Sequence, residues 1–321
     1  MEGEQTMADL QRVMDLPVLL IYDIDPSWSA AEQEETNRAC QRLGYAMRRQ
    51  GHSVRFLPVS DPDLHRVLAA YDPRDVIVFN WCEGLPGIDR SEAWVAETLE
   101  RLRFTYTGAS AEVLKRSYDK PWVKRMLRSQ GVPTPNWKVL HSPVTSGWSC
   151  FPAIVKPACE HCSLGIDAGA VVCDPGQLHQ RVSYVLDTFQ QPAIVEDFVD
   201  GREFHVPVWG NRQVEVLPPV EFDFSALDNL GDRLCSYDAK FVPESTVYRQ
   251  IKSWAPARLS PEELTQLEAA SKAAYRTLDC RDYGRIDVRL RDGVFYVLDV
   301  NPNADISFDA SLALAAEKAG Y

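Results

Sequence analysis

Apolar and polar residues follow two different periods in the first third of the chain. Short apolar runs, which are typical of buried strands, occur in PVLLIYDI, SVRFLPV and DVIVFN. The segments EETNRACQRLGYAMRRQG and SEAWVAETLERLR instead carry apolar residues at helical spacing. Strands that alternate with helices favour a parallel sheet with crossover helices. We therefore predict an N-terminal α/β domain over residues 16–108, after a polar and flexible segment at 1–15.

The rest of the chain mixes helical patterns with strands bounded by turn signals. Residues 109–190 include a predicted helix in DKPWVKRMLRSQG, strands in FPAIVKPA and AGAVVCD, and a helix across residues 175–189. Residues 191–321 begin with the strands PAIVEDFVDG, REFHVPVWGN and QVEVLPPVEF. In SPEELTQLEAASKAAYRTLDC, Ser260 and Glu263 form a capping-box pattern before an amphipathic helix. We predict a central and a C-terminal α+β domain over these two ranges.

A predicted β-hairpin, formed by GRIDVRL and VFYVLDVN, carries the clearest candidate site. Its even-numbered positions are apolar and should face a core, whereas the odd positions include Asp287, Asp299 and Asn301. A turn centred near Asp292 would place Asp287 beside residues 297–299. Carboxylate and amide oxygens gathered on one face are ligands for a hard cation such as Mg²⁺. A solvated polar face is the alternative interpretation.

Composition and charge exclude several classes of protein. The chain has 321 residues, is 45% hydrophobic and 25% charged, and carries a formal net charge of −12. Nucleic acid is also negatively charged, so it is not an expected partner. No apolar run approaches the roughly 20 residues of a membrane span, and the acidic start lacks the basic region of a signal peptide. We therefore expect a cytoplasmic protein with no membrane partner.

Five motifs in order resemble the ATP-grasp superfamily, and within it the D-alanine–D-alanine ligases and their relatives. They are YTGASAEVLKRSYDKPWVKRMLRSQGVPTP, FPAIVKPACEHCSLGI, AIVEDFVDGREF, YDAKF, and the pair YGRIDVRL and LDVNPN. One such motif is weak, but five with family-like spacing are strong. The resemblance implies a three-domain ATP-grasp fold, in which the central and C-terminal domains clasp ATP. It also implies a homodimer.

The resemblance assigns nucleotide contacts to residues from several motifs. Phosphate contacts fall to Lys120, Lys156 and, at the terminal phosphates, Lys240. Glu196 would bind the adenine amino group, and the backbone of Asp197 and Val199 would bind the adenine edge. Glu203 would hold the ribose hydroxyls, and Ser163 belongs to the loop at residues 158–166 that covers the phosphates. Lys120 and Lys156 could each also be a surface lysine, and Glu196 and Glu203 could be exposed strand carboxylates that flank an Asp-Gly turn.

The resemblance likewise implies the metal and the chemistry. Asp287, Asp299 and Asn301 would hold two Mg²⁺ ions, with Mn²⁺ as a substitute, although relatives usually have the longer glutamate where Asp299 stands. A substrate carboxylate would attack the γ-phosphate of ATP, and an amine would then displace phosphate from the acyl phosphate. Arg285 and Lys240 would be the catalytic residues, and Arg285 would stabilise the acyl phosphate and the tetrahedral intermediate. The enzyme expected is an ATP-dependent ligase that forms C–N bonds.

Four departures concern the amino-acid half of the site. The Gly-Gly-x-Ser-x-Glu signature of D-Ala–D-Ala ligases is absent after the first strand. Cys162 stands where the family has a serine, and Phe241 stands where it has a tyrosine. Near the C-terminus, NPNADISFD replaces the family's Ser-Pro-Gly loop. The candidate substrate contacts are Glu83, Asp305, Ser307 and Asp309, each of which could be loop surface.

These departures favour a ligase that joins an amino acid to a small metabolite or to another amino acid, as mycosporine-type natural-product ligases do. The alternatives are a D-Ala–D-Ala ligase of cell-wall synthesis, a small-molecule kinase on the same fold, and an ATP-binding protein without turnover. The CxxC motif Cys159–Cys162 could instead bind zinc or act in redox chemistry. Because no second close cysteine pair supplies two more ligands, we interpret it as part of the phosphate loop.

Overall fold

The computed structural model describes residues 16–161, 163–235 and 244–321, except for the side chain of Thr246. The predicted flexible segment at residues 1–15 lies outside the described residues. The chain divides into two compact units, Met1–Leu114 and Lys115–Tyr321. No helix in the described part of the chain is long and apolar enough to cross a membrane.

The first unit contains a parallel sheet of four strands in the order β2-β1-β3-β4. The strands are β1 (Val18–Asp23), β2 (Val54–Val59), β3 (Ile77–Trp81) and β4 (Thr105–Tyr106). The helices are α1 (Ala30–Arg49), α2 (Leu64–Leu68), α3 (Glu92–Arg101) and α4 (Ala111–Ser117), the last of which contains the boundary between the units. Residues 19–21 in β1 are fully buried, as expected for an inner strand of a parallel sheet that is covered on both faces.

Helix α1 begins earlier than its apolar spacing predicts. The side chain of Ser29 accepts a hydrogen bond from Glu32 N, and Ser29 N donates to the Glu32 carboxylate. This capping box satisfies two backbone N–H groups that the first turn leaves without helical partners. The helix therefore starts at Ala30, within a polar stretch that the hydrophobic pattern alone does not identify as helical.

Within the described residues, the second unit contains two antiparallel sheets. One has four strands in the order β5-β8-β6-β7 and the other has six, in the order β12-β11-β9-β13-β14 with β10 paired to β9. The first comprises β5 (Trp137–Leu140), β6 (Ala153–Pro157), β7 (Val171–Val172) and β8 (Ala193–Asp197). The second comprises β9 (Arg202–Trp209), β10 (Glu215–Val216), β11 (Val220–Asp223), β12 (Lys252–Trp254), β13 (Tyr283–Arg291) and β14 (Val294–Pro302).

Five further helices complete this unit within the described residues. They are α5 (Lys120–Ser129), α6 (Pro175–Phe189), α7 (Thr246–Gln250), α8 (Pro261–Thr277) and α9 (Ser311–Ala319). The predicted capping box at Ser260 and Glu263 is present at the start of α8. The predicted fold class, a mixed α/β chain with one parallel sheet and antiparallel sheets, is confirmed. The division of this unit at residues 190/191 stays a prediction.

A β-bulge corrects the alternation predicted for the hairpin of β13 and β14. The turn residues Asp292 and Gly293 both have positive φ, and the strands pair regularly from there to Val288 and Val297. Asp287 then pairs with Asp299, which leaves Leu298 as an extra residue. Even positions face the core along β13, but in β14 the buried residues are Phe295 and Val297 before the bulge and Val300 and Pro302 after it.

The bulge explains why the two acidic residues meet. If the register of the turn continued, Asp287 would pair with Leu298, and Asp299 would lie on the opposite face. One extra residue in β14 moves Asp299 into direct register with Asp287. The prediction that Asp287 lies beside residues 297–299 is therefore correct. The prediction that even positions of β14 face the core is wrong before the bulge, where Phe295 and Val297 are buried, and correct after it at Val300.

We expect Gly201→Ala to destabilise the protein, because a Cβ at this position would lie 2.0 Å from the backbone oxygen of Leu290. The strand start at Arg202 would have to move away from β13, which should lower the free energy of unfolding by about 3 kcal/mol. Urea unfolding followed by circular dichroism measures this change. Gly176→Ala is the control, since its Cβ would meet only the Asp174 side chain, at 3.1 Å. Equal stability of both variants would contradict the prediction.

Candidate active site

The two hairpin carboxylates face each other, and each has a cationic partner. Arg285 donates from Nε to Asp287 Oδ1 at 2.6 Å and from Nη2 to Oδ2 at 3.0 Å. Lys120, the first residue of α5, places its Nζ 2.6 Å from Asp299 Oδ2. Arg285 and Lys120 therefore offset part of the repulsion between the two carboxylates.

The electrostatics of this group keep its members charged. Burial alone would raise the pKa of Asp299, but Lys120 holds that pKa well below its usual range. Burial would likewise lower the pKa values of Lys120 and Arg285, yet Asp299 and Asp287 keep both above their usual values. Asp299, Lys120 and Arg285 are therefore ionised at neutral pH.

The donor atoms of the hairpin suit a hard divalent cation such as Mg²⁺. Asp287 and Asp299 supply carboxylate oxygens in direct register, and Asn301 adds an amide group that lies beside them. Asn301 Nδ2 donates to Asp287 Oδ2 at 3.0 Å. Ligation by Asn301 would therefore require its amide to turn so that the oxygen faces the ion. The three residues fit the predicted metal role, which stays a prediction.

A second charged cluster, centred on Glu196 in β8, is almost completely buried. Glu196 Oε2 lies 3.1 Å from Lys124 Nζ and 3.3 Å from Lys156 Nζ. Burial would raise the pKa of Glu196, but the two lysines hold it below its usual value. Its other oxygen, Oε1, is buried and has no hydrogen-bond partner among the described residues. A buried acceptor of this kind fits the predicted contact with the adenine amino group.

Lys124 is a site residue that the sequence reasoning missed. Its side chain is 2% exposed, and Nζ donates to Thr134 Oγ1 at 3.0 Å as well as pairing with Glu196. The available signal was its position one helical turn after Lys120, on the same face of α5. Lys156, predicted at the phosphates, here lies beside Glu196.

The predicted ribose contact, Glu203, is held by an arginine that was not predicted. Arg289 lies beside Glu203 across β9 and β13, and its Nε donates to Glu203 Oε2 at 2.7 Å. Arg289 Nη1 also donates to the carbonyl of Val199 at 2.8 Å. The Asp197 N–H donates a hydrogen bond to Asn136 O at 3.0 Å. The Val199 carbonyl and the Asp197 N–H therefore already have hydrogen-bond partners within the protein. Any adenine contact from these two residues falls to the Val199 N–H and the Asp197 carbonyl.

The loop that is predicted to cover the phosphates carries Ser163 and also His161, which was not predicted as a site residue. Ser163 Oγ donates to the carbonyl of Cys235 at 3.1 Å. His161 Nε2 lies 3.1 Å from Ser117 Oγ, and its ring packs edge-on against Tyr118 at 4.2 Å. Burial and the nearby Lys120 lower the pKa of His161 to about 4, so it is neutral at physiological pH. Lys240, Phe241 and Cys162 lie outside the described residues.

The candidate substrate residues occupy two separate loops. Asp305, Ser307 and Asp309 lie between β14 and α9, where Asp305 Oδ1 accepts a hydrogen bond from Ser307 N at 2.8 Å. Asp305 and Asp309 are exposed and Ser307 is half-buried. Glu83 belongs to the first unit, in the loop after β3, where its backbone N–H donates to Asp23 Oδ1 at 2.9 Å. Their contact with a substrate stays a prediction.

Comparison with known proteins identifies relatives of the chain. A family model described as D-ala D-ala ligase C-terminus matches residues 126–320, more than half of the chain. The uncharacterized protein y4sG of Sinorhizobium fredii is 35% identical over 287 residues, covering 86% of this chain and 81% of that protein. A D-alanine–D-alanine ligase of Aquifex aeolicus is 28% identical over 298 residues, covering 91% and 92%.

A solved structure has the same fold. The crystal structure of D-alanine–D-alanine ligase from Bacillus anthracis matches with a TM-score of 0.70 and 20% identity. The match covers 95% of this chain and 92% of that one. At this level of identity the likeness shows the fold, and it agrees with the ATP-grasp architecture expected from the motifs.

Proposed function

This chain belongs to the family described as D-ala D-ala ligase C-terminus, and on that premise we propose that it joins an amino acid to a small metabolite or to another amino acid, as natural-product ligases do. It is an ATP-dependent ligase of the D-Ala–D-Ala ligase type, which forms a C–N bond between a carboxylate and an amine and requires ATP and Mg²⁺. We infer that its substrates are not two molecules of D-alanine.

The segment after β1 supports this proposal most strongly. In D-Ala–D-Ala ligases this position carries the signature glutamate that orients the first amino acid. Here Asp25 accepts hydrogen bonds from Ser27 N at 2.7 Å and from Gly87 N at 2.9 Å, while Asp23 accepts from Glu83 N at 2.9 Å. These carboxylates hold the backbone of two loops at the end of the sheet. The absence of the family's glutamate signature, together with the engagement of these two carboxylates by backbone N–H groups, supports substrates other than two molecules of D-alanine.

The residues of the second unit suit a reaction without a protein nucleophile. The substrate carboxylate attacks the γ-phosphate of ATP, ADP leaves, and an acyl phosphate forms. The amine then attacks the acyl carbon, and phosphate leaves with the former carboxylate oxygen while the amine loses a proton. We assign Arg285 to the charge that develops on the acyl phosphate and on the tetrahedral oxygen, and Lys120 to the nucleotide phosphates.

Bound Mg²⁺ would neutralise phosphate charge and polarise the phosphoryl group under attack. Asp287 and Asp299 would supply carboxylate oxygens that hold it, and Arg285 fixes Asp287 through two hydrogen bonds. The loop at residues 158–166 would exclude water, which otherwise hydrolyses an acyl phosphate.

A phosphate-release screen tests the proposed substrates. The purified protein is given Mg·ATP with pairs of carboxylates and amines, including D-alanine alone, and released phosphate is measured. We expect release that depends on both a carboxylate and an amine, with some pair other than two D-alanines giving the highest kcat/KM. If D-alanine alone gives the highest value, the inference from the segment after β1 is wrong. A phosphorylated product formed without amine would instead indicate a kinase.

We expect strong selection of ATP over GTP, because the buried Oε1 of Glu196 is an acceptor that fits the amino group of adenine. Guanine presents a carbonyl oxygen at that position, so kcat/KM for GTP should be at least about 10²-fold lower. Phosphate release with each nucleotide measures this ratio. Inosine triphosphate is the control, since it has the carbonyl oxygen of guanine without the 2-amino group and should lose activity to a similar degree. Similar rates with ATP and GTP would contradict the adenine assignment of Glu196.

A further inference from the structure

Glu203, His205 and Cys235 form a cluster of metal-ligating side chains next to Asp287 of the hairpin. Glu203 and His205 lie two residues apart on β9 and so point to the same face of the sheet. Their cross-strand partners on β13 are Arg289 and Asp287. One carboxylate oxygen, one imidazole nitrogen and the Cys235 sulfur all lie within 4.8 Å of one another. Neither the metal pattern of the hairpin nor the CxxC motif includes His205 or Cys235.

The spacing of these atoms suits one four-coordinate ion. His205 Nε2 lies 3.7 Å from Glu203 Oε1. Zinc bonds of about 2.0–2.3 Å place tetrahedral ligand atoms roughly 3.3–3.8 Å apart. The cluster therefore needs only small side-chain movements to surround an ion, and three protein ligands would leave a fourth position for water.

The surroundings already orient the cluster. Arg289 holds Glu203 Oε2 at 2.7 Å, which leaves Oε1 directed at His205. The Cys235 sulfur lies within 4.8 Å of the Glu203 and His205 ligand atoms. The side chains of Glu203 and His205 are only 6% and 5% exposed, so their rotation is restricted by packing. Fixed ligands of this kind lower the cost of organising a metal site.

The donor chemistry separates this cluster from the hairpin. Asp287, Asp299 and Asn301 would bind an ion through oxygen atoms alone, and Mg²⁺ prefers oxygen ligands. The cluster instead offers one nitrogen, one sulfur and one oxygen atom. We propose that Glu203, His205 and Cys235 form a second metal site, which binds a transition-metal ion of the zinc class. On binding, the Cys235 thiol releases its proton to solvent and coordinates as thiolate.

An ion in this site would compete with the nucleotide. It would occupy the Glu203 carboxylate, to which the ribose is assigned, and would lie close to Asp287, whose Oδ1 is 3.8 Å from His205 Nε2. Nucleotide binding and zinc-class ions should therefore exclude each other. This consequence rests on the proposed function, whereas the metal binding itself does not.

Titration of the full chain with Co²⁺ tests the site, because a cobalt–thiolate bond produces charge-transfer absorption in the near ultraviolet. We expect this absorption to saturate at one ion per chain and to disappear when Zn²⁺ is added. Cys235→Ser should abolish it, and His205→Ala should weaken Co²⁺ binding at least tenfold. Cys159→Ser, which disrupts the rival CxxC motif, and the exposed Cys173→Ser are matched controls that should keep it.

Two results would overturn the metal site: no thiolate absorption in the unsubstituted protein, or absorption that survives Cys235→Ser and is lost in Cys159→Ser. Circular dichroism of each variant shows whether it is folded, and Cys235→Ser alters only a half-buried side chain.

Adenosine tests the competition between the metal ion and the nucleotide, since it carries the ribose but no phosphates that chelate metal. Added adenosine should reduce the cobalt absorption, and unchanged absorption at saturating adenosine would overturn the competition while the ligase assignment stands.

Discussion

Asp287→Asn should reduce Mg²⁺-dependent phosphate release by about 10³-fold, because it removes a charged oxygen ligand from the proposed metal site. The asparagine has nearly the same volume and can still hydrogen-bond Arg285, so β13 should stay in register with β14. The loss should therefore appear in kcat and in the Mg²⁺ concentration needed for half-maximal rate. Phosphate release measured over a range of Mg²⁺ concentrations, with circular dichroism of the variant, separates this effect from misfolding.

Asp292→Asn is the matched control for this substitution. It makes the same chemical change in the same hairpin, but Asp292 lies in the turn and its side chain is 92% exposed. Asparagine also tolerates the positive φ of this position. We expect wild-type activity and Mg²⁺ dependence from the control. If Asp287→Asn also keeps full activity at low Mg²⁺, the metal assignment of the hairpin is wrong.

Arg285→Lys should lower kcat by about 10²-fold with little change in the KM for ATP. Lysine keeps the positive charge that balances Asp287, but it cannot reproduce the two hydrogen bonds that the guanidinium makes at 2.6 and 3.0 Å. If Arg285 stabilises charge that develops only during the reaction, the loss falls on turnover and not on nucleotide binding. Steady-state kinetics with ATP as the varied substrate measures both constants.

The control for Arg285 is Arg276→Lys, an exposed residue near the end of α8. It should leave both constants unchanged. If Arg285→Lys has a normal kcat and a raised KM for ATP, Arg285 does not stabilise the charge that develops during the reaction. Such a result would assign Arg285 to ground-state binding of the nucleotide.

The sequence predicted the parts of the fold that depend on local pattern. The parallel sheet of the first unit, the antiparallel hairpin and the capping box of α8 all follow from periodicity and short motifs. The hairpin turn was also predictable, because Asp-Gly tolerates the two positive φ values that a two-residue loop requires. The strand expected in AGAVVCD shrinks to Val171–Val172, since residues 168–170 form a 3₁₀ turn that Asp167 caps.

The bulge that aligns the two acidic residues was not predictable. Leu298 is one apolar residue in an apolar strand, and nothing in its identity marks it as the unpaired one. Its place is decided by the partner strand and by the core that buries Val297 and Val300 on either side of it. Tertiary packing therefore overrides strict alternation at the point where Asp299 comes opposite Asp287.

The buried charges were also beyond the sequence. Lys124 and Arg289 are almost fully buried, whereas lysine and arginine are normally exposed unless they are paired. Their partners, Glu196 and Glu203, lie 72 and 86 residues away, so no local spacing connects them. The resemblance to a family identified the two glutamates, and only the folded chain shows the cations that hold them.

Transfer of oxygen from substrate to phosphate tests the central claim, that this site joins a carboxylate to an amine through an acyl phosphate. The carboxylate identified by the screen is labelled with ¹⁸O in both oxygens and allowed to react with the amine and Mg·ATP. Mass spectrometry should find one ¹⁸O in the released phosphate and the other in the amide product. Unlabelled phosphate, with both ¹⁸O atoms still in the carboxylate, would contradict the ligase mechanism and show that the site only hydrolyses ATP.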